Sequence, residues 1–149
     1  AQTGVPFGEV AAVRDWLGIN AQVGQPKISH PARPIEGFDC RRSEVSGRRV
    51  WGLFSQLYPS SEEFAQEFVI VNYCPLVFME ESGRNRTPDK LPKGEREPLY
   101  KACDRALGDL LKALDVRQAI GVGRFAEERL KSVTTALGIT LPISTILHP

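Results

Sequence analysis

The sequence predicts an α/β domain with a mainly parallel sheet and helices on both of its faces. Three short apolar runs carry that reading: Phe68-Val69-Ile70-Val71, Gln118 to Val122 and Ile143 to Leu147. The first is too short and too β-branched for a buried helix, so it reads as a buried strand. Two stripes of apolar residues at helical spacing lie between the runs. Strand, helix, strand, helix, strand is the order of a parallel sheet with crossover helices.

The elements follow in chain order. Glu9 to Leu17 puts Val10, Val13, Trp16 and Leu17 on one helical face, and Gly18 is a natural stop. Asn20 to Cys40 reads as loop, punctuated by Pro26, Pro31 and Pro34. A helix begins near Ser43, with Val50, Leu53, Phe54 and Leu57 at helical spacing, and Ser60 or Ser61 can cap a short helix through Phe64. After the first strand, Ser82 to Arg96 is a polar loop with Gly83, Pro88 and Pro92. A long helix to about Leu114 turns Leu99, Cys103, Ala106, Leu107, Leu110 and Leu114 inward. Gly121 and Gly123 allow a tight exit from the second strand. Ala126, Leu130, Val133 and Leu137 mark the last helix, and Gly138 ends it.

A length of 149 residues fits one domain with a real core. The formal net charge is only +1, so any nucleic-acid surface must be a local patch. Cys40, Cys74 and Cys103 are an odd, widely spaced set without C-x-x-C. That argues against a disulfide scaffold or zinc site and for reduced thiols inside a cell. No apolar run approaches a membrane span, and none of these residues is expected to form a signal peptide.

Three residues stand where parallel sheets bind ligands, beyond strand ends or in Gly-rich loops. Phe7 lies in Gly4-Val5-Pro6-Phe7-Gly8. It reads either as an aromatic platform for a flat ligand or as a loop side chain plugging the core. Asn72 ends the first strand. Its amide offers a donor and an acceptor side by side, matching the edge of a base, yet Asn at a strand end also bonds its own backbone. His148 follows the last strand and can donate a hydrogen bond to charge developing on a substrate; an ordinary surface His is the alternative. His30, in the Pro-rich loop, reads as structural.

Ser82, Gly83, Arg84, Asn85, Arg86, Thr87, Pro88, Lys90, Lys93 and Arg96 belong to a segment whose cations outnumber Asp89 and Glu95. Such a loop can hold phosphates without reading sequence, or simply be solvated. Arg41, Arg42, Arg48 and Arg49 form a second basic cluster, with Glu44 nearby. The chain has neither a G-x-x-x-x-G-K-[ST] phosphate loop nor a G-x-S-x-G elbow. Gly121-Val122-Gly123 lacks the third glycine of a dinucleotide fingerprint.

The blocks Gly4-Val5-Pro6-Phe7-Gly8-Glu9-Val10 and Val13-Arg14-Asp15-Trp16-Leu17 closely resemble the single-strand-selective monofunctional uracil-DNA glycosylases. So do Ser43-Glu44-Val45-Ser46-Gly47, Asn72 with Cys74-Pro75-Leu76, and Ser82-Gly83-Arg84-Asn85 with Thr87-Pro88. Gly121-Val122-Gly123-Arg124 and Leu147-His148-Pro149 complete the series in the family's order. The resemblance implies a three-layer α/β/α sandwich around a four-stranded parallel sheet, and excision of uracil and some 5-modified uracils from single- and double-stranded DNA. It implies that Phe7 stacks on the flipped base, Asn72 bonds its edge and His148 steadies the departing base. The Ser82–Arg96 segment corresponds to a DNA contact.

The expected enzyme is a monomer with no cofactor, metal or membrane. It would be nuclear in a eukaryote and cytoplasmic in a bacterium. Family members carry, ahead of the position of Ala1, a strand and a Gly-Met-Asn-Pro-Gly-Pro-Phe-Gly-Met loop whose Asn positions the attacking water. They continue past Pro149 into a segment that wedges the duplex. The expectation is therefore one domain over residues 1–149, lacking both ends and inactive alone. Two other readings stay open: a related glycosylase with another base preference, and a catalytically silent nucleic-acid-binding domain.

Overall fold

The computed structural model describes residues 2–149, which divide into two compact units. The first comprises residues 2–72, residues 77–85 and Pro149. It opens on the Phe7 loop and one wide helical turn, Ala12–Trp16, in which Leu17 N–H reaches back five residues to the Ala12 carbonyl at 3.0 Å. Gly18, at φ 68°, ends it, so the expected helix is present but shorter and wider. The turn drives Val13 into full burial and sets Trp16 against Trp51 and Phe64, with ring centroids 5.9 and 5.8 Å away.

The Pro-rich segment is irregular, as expected, apart from a 3₁₀ turn at Gly37–Asp39. Helix α1 is Val45–Leu57, its first amides capped by the Glu44 carboxylate through Ser46 N–H and Gly47 N–H. Ser60 then caps α2, Ser61–Glu67, by accepting from Glu63 N–H at 3.2 Å. Trp51, Phe54, Phe64 and Phe68 assemble an aromatic core, with Phe54 and Phe64 centred 4.5 Å apart. Leu53 and Leu57 of the expected inward stripe instead face out, 54% and 62% exposed. The bulkier rings turn the helix so that Gly47 and Trp51 lie innermost.

The strand expected at Phe68–Val71 does not form. Phe68 is extended, but the segment pairs with no strand among the described residues, and Val69 and Val71 are 59% and 45% exposed. β-Branched residues favour the extended chain, but a ladder needs a neighbour to take its N–H and C=O groups.

The expected loop from Ser82 to Arg96 is more ordered than its composition implies. Its start belongs to a hairpin of β1, Phe78–Met79, and β2, Asn85–Arg86, closed by Glu80 N–H on the Arg84 carbonyl at 2.9 Å. A 3₁₀ turn at Pro88–Lys90 follows.

The second unit comprises residues 73–76 and 86–148. Helix α3, Lys93–Ala113, leads to β3, Ala119–Val122; helix α4, Arg124–Leu137, then leads to β4, Ile143–Ile146. The strands pair in parallel, Ala119 opposite Ile143 and Val122 opposite Ile146. Leu111, Ala119, Leu130 and Val133 form the core, flanked by Leu107, Val116, Leu141 and Ile143. Ala106 and Leu114, expected inward, are exposed; Gly108 and Leu111 occupy the interior instead.

Gly121 matters for close approach more than for the turn. A Cβ there would lie 2.5 Å from Glu127 N and 2.8 Å from its Cα, so only Gly lets α4 settle on β3. Gly138, at φ 64°, stops α4 as expected. The architecture is thus mixed α/β with a parallel pair, and each sheet among the described residues has two strands.

Candidate functional site

Phe7 is half-buried and adopts φ 51°, a left-handed backbone that a bulky side chain avoids at about 1–2 kcal/mol. Two donors stabilise it there. The Phe7 carbonyl accepts from Glu9 N–H at 2.7 Å and from the Trp51 indole Nε1–H at 2.9 Å. Trp51 is 3% exposed, so the clamp comes from the aromatic core itself. Gly47, one turn earlier in α1, makes room: a Cβ there would stand 2.1 Å from the Phe7 carbonyl oxygen.

The same helix start receives the end of the chain. Ser46 Oγ–H donates to the Pro149 carbonyl at 2.9 Å. Consecutive residues Ser46 and Gly47 therefore hold Pro149 and the Phe7 loop within the first unit. His148, which precedes Pro149, is exposed beyond β4 in the second unit. Asn72 is exposed just after the Phe68–Val71 segment. The Phe7 backbone is thus tied to the aromatic core.

The basic segment is held rather than loose. In the first unit, Gly83 turns at φ 75° and its carbonyl accepts from Arg33 Nε–H at 2.9 Å. His30 Nδ1 accepts from Ala32 N–H at 3.1 Å, which leaves Nε2–H to donate to the Glu81 carbonyl at 3.0 Å. His30 is thus a structural pin for this turn. Arg84 pairs with Glu80 at 3.4 Å, yet its side chain remains 75% exposed.

In the second unit, Arg86 donates to the Lys90 carbonyl and Arg96 to the Asp89 carbonyl, each at 2.8 Å. The Thr87 hydroxyl holds the Asp89 carboxyl below its ordinary range. Lys93, 77% exposed, meets Glu97 at 3.6 Å. Arg84 and Lys93 thus keep about three-quarters of their side chains in water, while Arg86 and Arg96 also brace the turn at Pro88–Lys90.

A second polar cluster escaped the sequence reading. The Tyr73 hydroxyl lies 2.7 Å from Asp104 Oδ1 and 3.3 Å from the Tyr100 carbonyl. Arg129 pairs with the same carboxylate and stacks over Tyr100, 5.1 Å from the ring centre. Burial, reinforced by the Asp104 hydrogen bond, raises the Tyr73 pKa. Burial and the neighbouring Cys74 push the Cys103 thiol up to about 11. The signal was weak: Asp104 and Arg129 are charged residues beside the apolar positions Cys103 and Leu130, on helices far apart in sequence.

All three cysteines are free thiols. Among the described residues no group of three or more His, Cys, Asp or Glu is placed to hold a metal ion. No helix there is long and apolar enough to cross a membrane.

No family model matches the chain. Three curated relatives match all 149 of its residues. Those of Mus musculus and Bos taurus are each 46% identical, with 53% and 55% of their lengths covered. That of Rattus norvegicus is 47% identical, with 54% covered. The chain therefore spans about half the length of the curated relatives it matches. Each relative is named a single-strand selective monofunctional uracil-DNA glycosylase. The Phe7 loop, the Asn72 segment and the His148 end all lie inside the matched region, and over its whole length the chain is similar to these glycosylases.

Proposed function

We propose that the full-length protein carrying this chain is a base-excision repair glycosylase that flips uracil, and some 5-modified uracils, out of DNA and hydrolyses the N-glycosidic bond. The observation that carries the proposal is 46–47% identity to three uracil-DNA glycosylases across every residue of the chain. The clamped Phe7 loop supports it from the side of geometry.

The roles follow from what the chemistry needs. A base within a duplex is out of reach, so it is extruded at a few kcal/mol that the pocket must offset. Stacking on Phe7 contributes about 1–3 kcal/mol. The Asn72 amide donates to a uracil carbonyl and accepts from the adjacent ring N–H, discriminating by about 1–3 kcal/mol against a wrong edge. As the glycosidic bond breaks, its electron pair leaves with the base. His148 donates a hydrogen bond to the charge that develops there, where a preorganised donor acts most strongly. Water takes the sugar carbon in a monofunctional enzyme, and no residue of this chain is assigned to orient it.

Arg84, Lys93 and their neighbours would track phosphates, adding affinity without sequence preference. In the full-length protein the unpaired Phe68–Val71 segment would gain a neighbouring strand, completing a three-layer α/β/α sandwich.

The test is uracil release by the full-length protein from single- and double-stranded DNA containing uracil. The expected products are free base and an abasic site on both. Thymine- and hypoxanthine-containing strands, run in parallel, detect another base preference. Binding without release of any base would mark a silent DNA-binding domain and end the proposal.

A further inference from the structure

We propose that Trp51 and Gly47 are positioning residues for the Phe7 platform, so that the hydrophobic core of the first unit sets the plane on which a flipped base stacks. The inference rests on the reading of Phe7 as that platform, and it deepens that reading.

At φ 51°, Phe7 occupies a conformation that its own side chain disfavours, and it persists only where its surroundings over-determine it. The surroundings here are specific. Trp51 Nε1–H, on a ring 3% exposed, donates to the Phe7 carbonyl at 2.9 Å. Trp51 is itself fixed by Trp16 at 5.9 Å and by Phe64, edge-on, at 5.8 Å. Its N–H direction is therefore set by packing. Gly47 lets the carbonyl come that close, since a Cβ would stand 2.1 Å from it. That neighbour is a backbone oxygen, which cannot swing aside as a flexible side chain would.

A platform acts only in the right place, because stacking falls away as the two planes slide or tilt. Holding the carbonyl at two points, Trp51 Nε1–H and Glu9 N–H, fixes the peptide that carries the ring. Trp51 and Gly47 touch no substrate in this scheme and act through Phe7.

The experiment uses the full-length protein and single-turnover excision of uracil from single-stranded DNA. Rate constant and reaction amplitude are read separately. The decisive variant replaces Trp51 by benzothienylalanine, which keeps ring size and shape and substitutes sulfur for the N–H. Gly47→Ala is the second variant, and Phe7→Ala the reference. The expected result is a rate constant five- to tenfold lower in both variants, with affinity for uracil-free DNA unchanged.

A merely structural role would reduce amplitude, the fraction of competent enzyme, and leave the rate constant intact; that result overturns the proposal. If Phe7→Ala slows excision while neither variant does, the platform reading stands and this inference falls. If Phe7→Ala excises at the wild-type rate, both fall together.

Discussion

The Tyr73 hydroxyl donates to Asp104 Oδ1 at 2.7 Å, while Arg129 Nε–H of α4 reaches the same oxygen at 3.1 Å. One carboxylate thus ties a loop residue to two helices of the second unit. Arg129 lies on Tyr100 as well, and Phe125 meets Tyr73 edge-on at 5.5 Å. Both charged side chains are about three-quarters covered, 22% and 28% exposed, so their pairing is screened less than a surface ion pair.

Removing members of this cluster should be felt in order of what each leaves behind. Tyr73→Phe deletes one hydrogen bond and leaves Asp104 still paired, a loss of about 0.5–1.5 kcal/mol. Arg129→Met leaves a partly buried carboxylate without its cation, a loss of about 1–3 kcal/mol. Urea denaturation of the full-length protein measures both. Equal losses would mean the ion pair contributes nothing beyond the tyrosine hydrogen bond.

The same cluster sets an alkaline limit. Burial raises the Tyr73 pKa, and burial beside Cys74 lifts the Cys103 thiol from 9.0 to about 11. Above pH about 9 the unfolded chain loses these protons while the folded chain keeps them, so the unfolded state binds fewer protons. Stability is then full below the ordinary pKa values and falls as pH rises through the folded ones. Thermal midpoints should drop from pH 9 upward, and Tyr73→Phe with Cys103→Ala should flatten that drop. An unchanged alkaline slope in the double variant would assign the effect to other groups.

Local chemistry was legible where a single residue type settles a local choice. Ser60 caps α2, and Gly18 and Gly138 end their helical segments at positive φ, as their positions in the sequence imply. The parallel pairing of Ala119–Val122 with Ile143–Ile146 follows from the strand–helix–strand order between them. What escaped depends on partners. Phe68–Val71 has the composition of a strand but no ladder to join among the described residues, and composition does not report the neighbour. The hydrogen bond between Trp51 Nε1 and the Phe7 carbonyl links 44 residues through a backbone oxygen, which every residue possesses. For the same reason Gly47 stood out as part of a family block, and its role as a gap appears only in three dimensions.

Asn72→Ala in the full-length protein should lose most uracil excision while the fold survives, because Asn72 is exposed and supports no core. Asn72→Asp should fail too, since an ionised carboxylate cannot donate to a uracil carbonyl. Single-turnover excision beside a thermal melt checks both. Near wild-type rates in the two variants would remove Asn72 from the site.

His148→Ala should lower the chemical step more than DNA binding, because the proposed hydrogen bond strengthens as charge builds on the leaving base. A loss of about 10²–10³ in rate is the scale for one such donor. Rate at saturating DNA and affinity for abasic DNA are measured separately. Parallel losses in both would make His148 a binding residue.

Arg84 and Lys93 expose 75% and 77% of their side chains, more than a braced side chain would. Replacing both by Gln should weaken binding to every DNA sequence alike. It should also reduce the slope of log affinity against log salt by about one for each phosphate that is no longer neutralised, somewhat less on single strands. An unaltered slope would return this segment to the role of a solvated loop.

The exposed apolar run leads to a prediction in which the chain and the full-length protein behave oppositely. Val69 and Val71 are 59% and 45% exposed, and Leu76 and Val77 are 60% and 54% exposed just beyond Asn72. Burying a valine contributes about 1.5–3 kcal/mol, and none of that is realised in full where the side chain faces water. In the 149-residue chain by itself, Val69→Lys and Val71→Lys should therefore shift stability by no more than about 0.5 kcal/mol, the range of surface substitutions. They should also lower its binding of a hydrophobic dye, since they break up the apolar patch. In the full-length protein, a neighbouring strand that covers Phe68–Val71 would turn each change into a buried unpaired charge. The loss should then exceed about 3 kcal/mol, near the scale for an uncompensated buried charge. Denaturation of both forms, wild type and variant, gives four stabilities to compare. Equal, small effects in the two forms would mean the segment stays uncovered and the proposed neighbouring strand does not exist.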